Sequence, residues 1–81
     1  MRTNVCGNRV RVARAMQKPP FTQKDLAAKL QLEGIDLSQN AISLIEAGDR
    51  AVTDLELVAL AKVFGVTTAW LLEETSDPYK K

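Results

Sequence analysis

The sequence predicts an all-α fold, a single domain of five short helices. Three observations predict it. Apolar residues recur at spacings of three and four, and no run alternates long enough to argue a strand. A Ser or Thr stands directly before four of these stretches, at Thr22, Ser38, Thr53 and Thr67, where a side-chain oxygen can cap free helix N–H groups. Each stretch except the last ends at Pro or Gly: Pro19-Pro20, Gly34, Gly48 and Gly65. With 81 residues there is room for one domain, expected over residues 4–73, with 74–81 as a flexible tail.

Helix 1 is expected from about Asn4 to Gln17, with Cys6, Val10 and Ala13 on the inner stripe. Gly7 counts against it, costing up to about 1 kcal/mol relative to Ala. Pro19 and Pro20 stop it, because each lacks an N–H and restricts the residue before it. Helix 2 starts at Thr22. Asp25 completes a capping-box-like start, Phe21 and Leu26 form a hydrophobic staple, and Leu26, Ala27 and Leu30 face inward. It fades near Leu32, with Gly34 as the left-handed terminator.

Helix 3 runs from the cap Ser38 to about Ala47. Leu37, Ile42 and Ile45 face the core, which leaves Gln39, Asn40 and Ser43 on the opposite face near the N-terminal end. Helix 4 opens on the capping box Thr53-Asp54-Leu55-Glu56 and closes at Gly65. Its buried face is expected to be Leu55, Val58, Ala61 and Phe64, flanked by Leu57 and Leu60. Helix 5 is short, from the cap Thr67 to about Leu72.

Composition removes several functions. Apolar residues at 46% and charged residues at 26% are ordinary globular values, so the chain should fold. A chain of this size buries only about 60% of its unfolded surface, which argues against a deep catalytic cavity. The absence of histidine removes Ser-His-Asp and Cys-His chemistry together with His metal ligands. The single Cys6 permits no internal disulfide and reads as a small core residue rather than a redox sensor. There is no phosphate-binding glycine loop. No enzyme activity, cofactor, metal or small-molecule ligand is expected. The longest apolar run, Leu57 to Ala61, is far short of a membrane span, and the N-terminus has no apolar signal-peptide region; the expected location is the cytoplasm.

Charge is unevenly distributed. The net value is +1, yet residues 1–29 sum to +6 and residues 30–81 to −5. This describes either a basic face with an acidic remainder or ordinary solvated helix faces.

Three motifs in order resemble the Cro and phage-repressor type of helix-turn-helix domain, the XRE family. Thr22-Gln23-Lys24-Asp25-Leu26-Ala27 resembles the start of its first motif helix. Leu37 to Gly48, LSQNAISLIEAG, resembles its recognition helix, and Leu57 to Trp70, LVALAKVFGVTTAW, its closing segment. The resemblance spans roughly residues 6–73 and implies a compact five-helix bundle of the lambda-repressor-like type. The chain departs from the pattern in three places. The segment between the motif helices, Leu30 to Ser38, is about five residues longer than usual, which either extends helix 2 by a turn or lengthens the loop. The linker QKPPF is long, and Asp49 stands where a basic residue often meets phosphate.

The resemblance implies double-stranded DNA as partner, with a near-palindromic operator and a homodimer on it. Gln39, Asn40 and Ser43 are the candidates for base contact. A recognition helix enters the major groove N-terminus first, and the amides of Gln and Asn match adenine N6 and N7, a pairing that contributes about 1–3 kcal/mol of discrimination. Gln23, Lys24, Ser38, Arg50 and Arg14 are candidates for phosphate contact, joined more weakly by Arg9 and Arg11. Gln23 has a second role open to it, bracing the recognition helix, and Ser38 is first of all a cap. Arg14 and Glu46 are expected to form an inner ion pair. Trp70 and Leu71 either complete the core or form a homodimer contact. A protein-interaction module of the same fold, such as an antitoxin or adaptor, is the alternative.

Overall fold

The computed structural model describes residues 2–80. It contains α1 (Gly7–Met16), α2 (Gln23–Leu32), α3 (Gln39–Ala47), α4 (Asp54–Phe64) and α5 (Thr68–Leu71), with no strand among the described residues. None of these helices is long and apolar enough to cross a membrane.

The four Ser/Thr residues read as caps all act as caps. The side chains of Thr22, Ser38, Thr53 and Thr67 accept from the N–H groups of Asp25, Ala41, Glu56 and Trp70. Asp25 and Glu56 return the bond to the cap N–H, so both capping boxes are complete. The Thr22 N–H bond, with the Thr22 hydroxyl behind it, holds the Asp25 carboxyl below the usual range. Gly34, Gly48 and Gly65 all take the left-handed conformation that ends a helix.

The core is built from every helix: Val10 and Ala13, Leu26 and Leu30, Ile42 and Ile45, Leu60 and Phe64, Trp70 and Leu71, with Cys6 and Leu37 from the connecting segments. Ala27 is half-buried against it. Phe21, just before α2, stacks on Phe64 with ring centroids 6.4 Å apart.

Helix α4 is turned relative to the expectation. Leu55 and Val58 are 73% and 59% exposed, whereas Leu60 is 1% exposed. The inner stripe is Leu57, Leu60, Ala61 and Phe64, with Ala59 also buried. The helix is apolar on nearly every side, so several stripes fit its periodicity equally well. Packing against α1, α2 and α5 decides between them.

Helix α1 starts at Gly7, three residues later than expected, because residues 3 and 4 are used elsewhere. The Thr3 N–H and hydroxyl both donate to the Gly48 carbonyl, at 2.8 and 3.1 Å. The Asn4 amide donates to the carbonyls of Ile45 (3.1 Å) and Arg50 (2.7 Å), and its oxygen accepts from the Gly7 N–H (2.7 Å). The N-terminal segment is thus a strap over the C-terminal end of α3. Gly7 is there for proximity: a Cβ at this position would overlap the Ile45 carbonyl oxygen. Its helix-propensity penalty is the cost of bringing α1 and α3 into backbone contact.

The long segment between α2 and α3 lengthens the loop. Helix α2 stops at Leu32, and the Gly34 and Ile35 N–H groups bond back to Gln31 and Leu30. Buried Leu37 then pins the loop to the core. The segment after α5 is tied back by the Thr67 N–H to the Pro78 carbonyl (2.9 Å) and by Arg9 to the Thr75 carbonyl (3.0 Å). Residue 81 lies outside the described residues.

Candidate nucleic-acid interface

Helices α2 and α3 pack together so that their N-terminal ends open on one shallow concavity. Gln23, Ser38, Gln39, Asn40 and Ser43 line it. Gln23 is the first residue of α2, and Ser38 caps α3. The two faces that carry these residues are left outward because Leu26, Leu30, Ile42 and Ile45 occupy the inward stripes of the same helices. Gln39, Asn40 and Ser43 are exposed, and Lys24 is exposed beside Gln23. At each helix start the cap serves the third N–H. The first two, of Gln23 and Lys24 on α2 and of Gln39 and Asn40 on α3, have no intrahelical acceptor. The positive ends of two helix dipoles therefore face the same space, which favours an anion.

A partly buried polar knot ties the helices together behind this surface. Arg14 on α1 grips Glu46 near the end of α3 in two places, Nε to Oε2 at 2.6 Å and Nη2 to Oε1 at 2.9 Å. Its Nη1 donates to the Phe21 carbonyl at 2.8 Å. Gln23 Nε2 adds a bond to Glu46 Oε1 at 3.2 Å. The side chains of Arg14 and Glu46 are only 18% and 7% exposed. The Glu46 carboxylate makes the Arg14 guanidinium still harder to deprotonate. Helices α1, α2 and α3 thus meet at one carboxylate.

The combination of a short capped helix, a turn pinned by Leu37, and a second capped helix with an outward polar start is a helix-turn-helix arrangement. A helix-turn-helix family model of the Cro/C1 type matches residues 12–71, about three quarters of the chain. The chain belongs to the XRE helix-turn-helix family. No curated protein and no solved structure gives a significant match. As an XRE-type domain the chain is a DNA-binding regulator, in a family whose members are typically not enzymes.

The other cationic candidates of this XRE domain are spoken for. Arg50 Nη1 and Nη2 bond Glu56 at 3.0 and 3.2 Å, and Nη1 also reaches the Ala51 carbonyl. The Arg50 bonds, and the Thr53 N–H after them, hold the Glu56 carboxyl below its usual range. Arg9 is directed to the α5 end: it donates to the Trp70 carbonyl at 2.8 Å and lies over the Trp70 ring at 4.7 Å. Arg11 bonds Asn8. Trp70 and Leu71 are 5% and 0% exposed and complete the core. The strap residues Thr3 and Asn4, which tie the N-terminal segment to the end of α3, are the contacts that the sequence reading missed. The available signal was local: Asn4 stands three residues before Gly7, a capping distance.

Proposed function

We propose that this protein is a sequence-specific transcriptional repressor that reads double-stranded DNA with α3 in the major groove. The observation that carries the proposal is the concavity shared by the starts of α2 and α3, where the amides of Gln39 and Asn40 and the hydroxyl of Ser43 stand exposed. Gln39, Asn40 and Ser43 read base edges. Gln23, Lys24 and Ser38, with the free N–H groups of both helix starts, grip phosphate. Arg14 and Arg50 contribute less, through N–H groups not used by Glu46 and Glu56. One chain has one recognition helix and a longest dimension of 32 Å. A palindromic operator with half-sites about 34–36 Å apart therefore needs two copies side by side. Such a protein works in the cytoplasm, on the nucleoid.

Anisotropy titration against genomic fragments, repeated across salt, tests the proposal. Selective binding that weakens with salt supports it. Absence of binding at low salt, or binding indifferent to salt, contradicts it. A second reading, an antitoxin or adaptor built on the same fold, draws on the carboxylates that occupy Arg14 and Arg50 and on exposed Asp49. A stoichiometric protein partner with no enriched DNA would favour it.

A further inference from the structure

The recognition helix is flanked at its C-terminal end by a cation outside the helix-turn-helix. Among the described residues, Arg14 and Arg50 are ion-paired, whereas Arg2 has no carboxylate within ion-pair distance. Arg2 is exposed, and its backbone is anchored next to the end of α3. Thr3 and Asn4 beside it are bonded to Gly48, Ile45 and Arg50, and the Arg2 side chain lies across Gly48. A Cβ added to Gly48 would stand 3.1–3.2 Å from its Nε, Cγ and Cζ. Helix α3 has nine residues and so is about 13 Å long. The major groove is about 12 Å wide. A cation at the far end of α3 thus stands about 13 Å along the helix from the base-reading end, a distance comparable with the groove width.

We propose that Arg2 is a phosphate-binding residue of this protein, held in place by the Thr3–Asn4 strap, and that it offsets Asp49 in the loop after α3. The assignment rests on the DNA-binding reading above. It gives the strap a purpose beyond packing: the strap carries a charge to the position where the loop itself offers an acid.

The experiment is anisotropy titration of full-length protein on a labelled mixed-sequence duplex, for wild type, Arg2→Gln and Arg2→Lys, between about 50 and 200 mM salt. One lost phosphate contact lowers the slope of log affinity against log salt by about 0.9, so the wild-type advantage over Arg2→Gln should shrink about 3.5-fold across that range. Arg2→Lys should keep the wild-type slope. An unchanged slope in Arg2→Gln overturns the assignment, whether affinity is unchanged or falls equally at every salt concentration; the latter is the mark of a purely structural strap. If wild type itself fails to bind the duplex at low salt, the DNA reading falls and this assignment with it.

Discussion

Gly7 and Glu46 each carry a constraint that local sequence conceals. Replacing Gly7 by Ala ought to help a helix by about 1 kcal/mol on propensity alone. The new Cβ would meet the Ile45 carbonyl, so α1 and α3 must separate. A net destabilisation of about 1–3 kcal/mol is expected, the range for overpacked sites, and urea unfolding of Gly7→Ala measures it. A gain in stability would refute the close approach. Glu46 takes bonds from Arg14 and Gln23 in a largely buried place. Removing its charge in Glu46→Gln leaves the Arg14 guanidinium without its counter-charge, at a cost of up to about 3–5 kcal/mol. The same unfolding measurement checks this, and a change below about 0.5 kcal/mol would mean that the pair is too hydrated to matter.

At the scale of elements, the start of α4 is a pH-sensitive part of the fold. Glu56 accepts from the Thr53 N–H and from Arg50, and its carboxyl is held below the glutamate range of about 4.3. Its contribution to stability is therefore complete above the unfolded-state value and is lost as pH falls through the lower, folded-state value. Asp25 at the start of α2 shifts in the same direction. Melting temperature should be level near neutrality and fall below about pH 4.5, and Glu56→Gln should flatten part of that fall. An unchanged acid limb in Glu56→Gln would contradict the Glu56 account. The elements were also the most legible level of the sequence. Thr22, Ser38, Thr53 and Thr67 with Gly34, Gly48 and Gly65 mark helix ends because capping is local chemistry, settled within three or four residues. The stripes of α1, α2 and α3 were legible because polar residues frame them. The stripe of α4 was not, since Leu55 and Val58 look as buriable as Leu57 and Leu60 until neighbouring helices choose. Residues of the concavity were legible through their place at helix starts. The destinations of Arg9 and Arg50 and the strap at Thr3 and Asn4 were not, because long side chains and loop carbonyls meet only in the assembled molecule.

For the molecule as a whole, one core joins all five helices, and Cys6 sits at its edge, 2% exposed. Burial pushes its thiol upward, so the reactive thiolate is scarce in the folded state. Alkylation of Cys6 should then report opening of the fold, with protection of at least about a thousandfold at neutral pH for a domain of ordinary stability. Ready alkylation without denaturant would contradict a core closed at that edge. The charge balance also acquires a structural meaning. Two cations of the basic N-terminal third are withdrawn from the surface charge, because Arg14 is turned inward to Glu46 and Arg9 is turned to the α5 end. What faces outward at the concavity is polar, with helix dipoles and few full charges. On the proposed reading, modest affinity for arbitrary DNA is the expected outcome, with discrimination assigned to the amides on α3.

Selection of bound genomic fragments, carried out in parallel for wild type and for the Gln39→Ala/Asn40→Ala double variant, tests that claim most directly. Wild type should enrich one near-palindromic sequence whose half-site centres lie one helical turn apart. The double variant should lose the enrichment, with most binding to unrelated duplex retained, because each lost amide contact removes about 1–3 kcal/mol of base discrimination. Equal enrichment of the same sequence by both proteins, or no enriched sequence with wild type, would contradict α3 as the reading element.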